Sequence, residues 1–204
     1  MTIALIDYGA GNLHSVASAL AAAGARNVAV TADADVVARA DRIVLPGVGA
    51  YAACMGALAA VDGMVEALQG RVIDDGAPFL GICVGMQLLA DQGVEHGGCA
   101  GLGWIGGTVE AISPDDPAIK VPHMGRNAVD LATPHPLLEA GEAYFLHSYH
   151  FHAADPAHVL ATSHHGGPVV AAVGRDNIIG VQFHPEKSQR YGLHFLSRFL
   201  EWTA

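Results

Sequence analysis

The first half of the chain alternates two textures, and that alternation narrows the fold more than any other feature. Short β-branched runs (TIALIDY from Thr2, NVAVTA from Asn27, RIVLPG from Arg42, PFLGIC from Pro78) give way in turn to Ala- and Leu-rich stretches with helical spacing. NLHSVASALAAAG reads as a helix capped by Asn12 and ended by Gly24, a helical region spans Ala50 to Leu68, and VGMQLLADQ from Val84 reads as another. Strands apolar on both faces must be covered on both, and helical crossovers run them parallel. The pattern predicts an α/β fold with a parallel sheet between helices.

After Gly93 the texture changes. GVEHGGCAGLGWIGG is glycine-rich loop, and then TVEAI, KVPHM, YFLHSYHF, HVLATSHH, VVAAVG and IIGVQF follow closely with turn signals between them. These predict antiparallel strands and hairpins extending or flanking the sheet. YGLHFLSRFLEW closes the chain as an amphipathic helix. No linker or repeat divides the sequence, so residues 1–204 are expected to form a single domain.

Composition removes several function classes. Ten Lys and Arg stand against twenty Asp and Glu, a formal charge of −10 with no basic block, which disfavours nucleic acid and anionic membranes as partners. MTIALIDYG lacks the basic start and cleavage site of a secretory signal and reads directly as a strand, so a cytoplasmic protein is expected. The longest apolar stretch falls short of the roughly 18 residues that suggest a membrane span. Three cysteines, odd in number and without CxxC spacing, indicate neither a disulfide framework nor a thiolate metal site.

GICVGMQLL, from Gly81 to Leu89, places one of them, Cys83, where a buried strand turns into a helix. A cysteine in an apolar run is most often packing. Glycines two residues before and after it, however, make the thiol form of a nucleophile elbow, whose small neighbours allow a sharp turn that exposes the nucleophile. The helix after it is expected to favour thiolate through its free N–H groups and dipole. IIGVQFHPEKS supplies a base: His184 follows a strong β pattern, and Glu186 falls on the same side if the chain stays extended through Pro185. Such a carboxylate would orient the imidazole toward Cys83. LPGVG, Leu45 to Gly49, is a glycine turn at another strand's carboxyl end, where backbone N–H groups with that of Val84 could form an oxyanion hole. Cys54 and Cys99 carry no such setting and read as packing.

GxCxGxQ and HPE with PGxG ahead of both resemble the class I, triad-type glutamine amidotransferases, and the resemblance covers essentially the whole chain. DYGAGNLHSV, LPGVGAY, GICVGMQLL, VPHMGRN, YFLHSYHF and VQFHPEKS match, in order and approximate spacing, the glutaminase subunits of imidazole glycerol phosphate synthases. The anthranilate, carbamoyl-phosphate and GMP synthetase amidotransferases usually carry Gly-His-Gln at the elbow, where this chain has Gly85-Met86-Gln87. The resemblance implies a three-layer, flavodoxin-like fold with a mostly parallel central sheet, and hydrolysis of L-glutamine through a cysteinyl thioester. It implies Cys83, His184 and Glu186 as the triad, Val48 and Val84 as the oxyanion hole, and Gly47, Gly49, Gln87, Ser148 and Tyr149 as the substrate site. Asn12, Arg126, Asn127, Tyr144 and Lys187 match interface positions toward a (β/α)8 cyclase, the heterodimer partner that receives ammonia. No metal or other cofactor is implied. Arg126 departs from the family's usual tryptophan and Tyr51 from its common phenylalanine.

The residues alone leave two alternatives open. A γ-glutamyl hydrolase or Cys-His peptidase would use the same triad on larger substrates without a partner, and a binding module could keep the fold without the chemistry.

Overall fold

The computed structural model describes residues 1–203. In chain order β1 (Ile3–Ile6), α1 (Leu13–Ala22), β2 (Val28–Thr31), α2 (Ala34–Ala38), β3 (Arg42–Gly47), α3 (Tyr51–Ala59), α4 (Met64–Leu68), β4 (Phe79–Cys83) and α5 (Val84–Gln87) realise the alternation of the first half. The second half holds β5 (Gln92–Gly93), β6 (Cys99–Ala100), β7 (Gly107–Ala111), β8 (His123–Leu131), β9 (Gly141–His147), β10 (Tyr149–Ala153), β11 (Val159–His164), β12 (Pro168–Arg175), β13 (Ile178–Val181) and α6 (Gln189–Glu201).

A nine-stranded sheet runs β2-β1-β3-β4-β13-β12-β11-β8-β9. The strands from β2 to β13 pair parallel, and every pairing beyond β13 is antiparallel. The expected parallel core is thus present, and the hairpins of the second half extend it into a mixed sheet. β1, β3, β4 and β13 are buried along their whole length, as strands covered on both faces must be. The helices form two groups: α1 packs on α6, while α4 packs on α2 and α3. Helix α6 buries Gly192, Phe195, Leu196, Phe199 and Leu200, the i, i+3, i+4, i+7, i+8 stripe of an amphipathic helix. Among the described residues no single helix is long and apolar enough to cross a membrane.

YFLHSYHF does not make one strand. β9 pairs with β8 in the large sheet, whereas β10 pairs with β7 in a second sheet ordered β10-β7-β5-β6, and Ser148 is the link between them. VGMQLLADQ does not make one helix either. Backbone N–H groups of Leu102, Trp104 and Ile105 bond the carbonyls of Leu88 and Leu89, and those of Gly101 and Gly103 bond Asp91 and Ala90. With those carbonyls held by the glycine-rich segment, α5 stops after one turn.

Candidate active site

Three strand ends meet at one rim. β3, β4 and β13 are neighbours, Gly47 is in register with Cys83, and Val181 with Ile82. Open α/β sheets bind ligands at this carboxyl edge, and here the sheet order brings together residues far apart in sequence.

Cys83 has φ 56° and ψ −112°, a conformation that non-glycine residues rarely adopt and that costs of order 1–3 kcal/mol. Its neighbours show what the elbow requires. A Cβ on Gly85 would collide with the Leu45 carbonyl oxygen, and one on Gly81 would stand 2.8 Å from the Met86 nitrogen. Both glycines are therefore demanded by the close approach of β3, β4 and α5. A single helical turn carries little macrodipole, so the expected dipole stabilisation of the thiolate is largely missing. Specific hydrogen-bond donors must replace it.

His184 is one. Its Nδ1 lies 2.8 Å from Glu186 Oε1, and both side chains are almost wholly buried. A carboxylate only accepts, so Nδ1 carries the proton and Nε2 is left for the sulfur. Burial opposes protonation of the ring and is the largest single influence on it. Hydrogen bonds and charge interactions with Cys83 and Glu186 together outweigh burial and push the pKa up to about 9. Glu186 arrives differently from the sequence expectation: His184 is extended, but Pro185–Lys187 forms a 3-10 turn. The turn is held by Lys187 N–H and Ser188 Oγ–H donating to the His184 carbonyl, and Ser188 Oγ also accepts from Tyr144 N–H.

These groups border a cavity of about 180 Å³. Val48, Gly49, Val84, Gln87, Ser148 and Tyr149 line it, as does Lys187 at its edge. Gly47 does not. It is fully buried beneath, where a Cβ would stand 2.7 Å from the Gly85 nitrogen, so its role is close packing of the turn. Gly49 at φ 107° supplies the left-handed residue that the turn needs. The turn is also clamped from below: Tyr8 Oη–H donates to the Pro46 carbonyl at 2.7 Å, and Cys54 Sγ–H to the Val48 carbonyl at 3.3 Å. Cys54 is thus more than packing. Burial pushes its thiol pKa up, which keeps it a donor.

Sequence reading missed Glu95, His147 and Gln182. Glu95 and His147 line the cavity, and Glu95 accepts from Tyr51 N–H at the start of α3. Gln182, fully buried, places its amide 3.6 Å from the Cys83 sulfur. Two-residue spacing from His184 along an extended segment was the available signal.

Three of the expected interface residues cluster. Arg126 is in register with Tyr144, and Lys187 Nζ lies 5.7 Å above the Tyr144 ring. Asn127, the next residue on β8, faces the other way and bonds His123 and the His164 carbonyl instead. Arg126 bonds Gln189 and faces Glu142, so it already has a carboxylate within its own chain. Asn12 caps α1 by accepting from Ser15 N–H. Among the described residues no group of His, Cys, Asp and Glu is placed to hold a metal ion.

Fold and site together define a class, and the family model for glutamine amidotransferase class-I indeed matches residues 4–202. The chain is 66% identical to the imidazole glycerol phosphate synthase subunit HisH of Zymomonas mobilis, over 99% of this chain and 96% of that one. It is 57% identical to the HisH subunit of Rhodospirillum rubrum over the full length of both. Among solved structures, a glutamine amidotransferase superposes with a TM-score of 0.75 over 98% of this chain and 99% of its own, at 17% identity. PurLQS from Thermotoga maritima does so with 0.67, at 18% identity over 98% and 95%. The chain belongs to the imidazole glycerol phosphate synthase HisH family of class-I glutamine amidotransferases.

Proposed function

We propose that this chain hydrolyses L-glutamine and delivers the ammonia to a cyclase subunit docked over the mouth of its site. The observation that carries the reading is the meeting of Cys83, His184 and Glu186 at one rim beside the turn at Val48 and Gly49. The cavity is smaller than the roughly 300–1,000 Å³ clefts that take larger ligands, which favours a free amino acid over a peptide. Glu95 and Lys187 in its lining suit a ligand that carries both charges. Gln87, Gly49 and the Ser148–Tyr149 backbone would hold the substrate there.

Cys83 thiolate attacks the side-chain amide carbon, and the developing oxyanion meets the N–H groups of Val48 and Val84. His184, charged at neutral pH, protonates the leaving nitrogen as the C–N bond breaks. Ammonia departs, leaving a glutamyl thioester on Cys83. His184, now neutral, takes a proton from water, which attacks the thioester and releases glutamate.

The partner reading rests on an exposed face. Met124 and Leu146 are register partners on β8 and β9, 66% and 38% exposed, and Val48, which lines the cavity together with Leu146, is 45% exposed. Arg126 and Tyr144, two residues along each strand, share that face. Apolar side chains gathered at a cavity mouth and edged by polar ones mark a contact surface. Asn12, Arg126, Tyr144 and Lys187 would edge the contact with a (β/α)8 barrel, whereas Asn127 lies on the opposite face of β8.

Glutamate release by the lone chain, by its complex with the cyclase, and by the complex with the cyclase's ligand tests this reading. One oxyanion donor contributes about 10² to 10³ in rate, so activation of that size is expected on forming the liganded complex. Full activity in the lone chain would refute the coupling and favour a free-standing hydrolase.

A further inference from the structure

Gln182 is buried without exposure, and nothing in the triad requires it. Its surroundings nevertheless leave its amide one orientation. The anchor is the Tyr149 carbonyl, which can only accept, so Gln87 must turn its Nε2–H2 toward it, at 3.0 Å. The same nitrogen lies 3.0 Å from Gln182 Oε1 and gives it the second hydrogen. With Oε1 so engaged, Gln182 Nε2 faces the Cys83 sulfur at 3.6 Å and donates to it.

A second arm fixes the anchor. His147 Nδ1 lies 2.9 Å from the same Tyr149 carbonyl and must carry a proton to reach it, which leaves Nε2 as an acceptor. His123 Nδ1, 3.0 Å away, is then the donor, and its Nε2 accepts from Asn127 Nδ2 at 3.0 Å. Both rings must be neutral for this chain to close. Burial is the largest cause depressing both, to a pKa of about 3 for His147 and about 4 for His123. Every proton along the path from Asn127 to Cys83 therefore has one position.

We propose that Gln182 belongs to the catalytic machinery, its amide held by Gln87 and the Tyr149 carbonyl so that it donates a hydrogen bond to the Cys83 thiolate. The proposal rests on Cys83 as the nucleophile. Gln182 supplies the fixed donor that a one-turn α5 cannot, and it holds the sulfur at the rim between His184 and the oxyanion turn. His123, His147 and Asn127 are positioning residues that act through the carbonyl. Hydrogen bonds to a sulfur anion are weak individually, but in a buried site their loss is felt because no water replaces them.

The test is the pH dependence of Cys83 alkylation by iodoacetamide in the full chain, compared among wild type, Gln182→Met and Gln182→Glu. The other titratable groups toward Cys83 are His184, Tyr8 and Cys54, with Glu95, His147 and Lys187 in the cavity lining, and these are the same in all three proteins. Gln182→Met removes the donor at similar volume. The alkylation midpoint should rise by about one pH unit, which is about tenfold slower alkylation below the midpoint. Gln182→Glu keeps the shape and the acceptor for Gln87, but adds a negative charge beside the sulfur, so its midpoint should rise further. Gln87→Met, which frees the Gln182 amide to turn, should raise it less. An unchanged midpoint in the folded variants overturns the proposal, as does a rise in Gln182→Met without a larger one in Gln182→Glu. Alkylation reads the sulfur's ionisation whatever the substrate is. Failure of the glutaminase reading would appear separately, as no glutamate from wild-type complex.

Discussion

Cys83→Ala is expected to abolish glutamine hydrolysis while leaving the fold intact. Alanine keeps the Cβ at the elbow and removes only the sulfur, so Gly81 and Gly85 still meet β3 and α5 as before. What disappears is the covalent route, and removing a nucleophile of this kind typically costs on the order of 10⁶ in turnover. Glutamate release by the partner complex should fall to background, with cooperative thermal unfolding preserved. His184 should respond as well. Hydrogen bonding to Cys83 is the largest cause raising its pKa, so in the variant the ring should titrate below the wild-type value of about 9, which NMR of the imidazole can read. Hydrolysis at the wild-type rate would remove the thiol mechanism altogether.

Glu186→Gln should keep glutamine binding and lower turnover by about 10² to 10⁴. The amide can still accept from His184 Nδ1–H across the 3-10 turn, but it offers no charge to the imidazolium. The sign of the pH effect follows from the direction of the shift. His184 sits at about 9 in the folded protein against 6.5 for the free group, so its protonation stabilises the fold, fully below about pH 6.5. That contribution fades as pH rises through 9. Losing Glu186 removes part of the raising influence, so the alkaline limb of the kcat profile should move toward neutral pH. Unchanged turnover and an unmoved limb would make Glu186 a structural carboxylate only.

Much of this site was legible in the chain itself. Glycines around Cys83, the His-Pro-Glu run and the glycine turn at Leu45–Gly49 each carry a local conformational demand, and parallel β3, β4 and β13 bring those demands to one rim. What local pattern missed depends on distant partners. VGMQLLADQ has the residues of a helix, yet the 101–105 backbone takes its carbonyls. YFLHSYHF has the residues of one strand, yet β8 and β7 claim its two halves for different sheets. Gly47 was expected at the substrate site by resemblance alone; in the fold it lies below the cavity lining, where backbone meets backbone. Gln182 was silent for the opposite reason: its meaning lies in Gln87 and Cys83, which only the folded sheet sets beside it.

The central claim is that one thiol, Cys83, takes the glutamine side chain. Mass mapping of the chain after exposure to an electrophilic glutamine analogue tests it most directly, since Cys54, Cys83 and Cys99 are all free. The account predicts a single adduct, on Cys83, that excess glutamine prevents from forming. An adduct on Cys54 or Cys99 instead, or one on Cys83 that glutamine does not suppress, would contradict it.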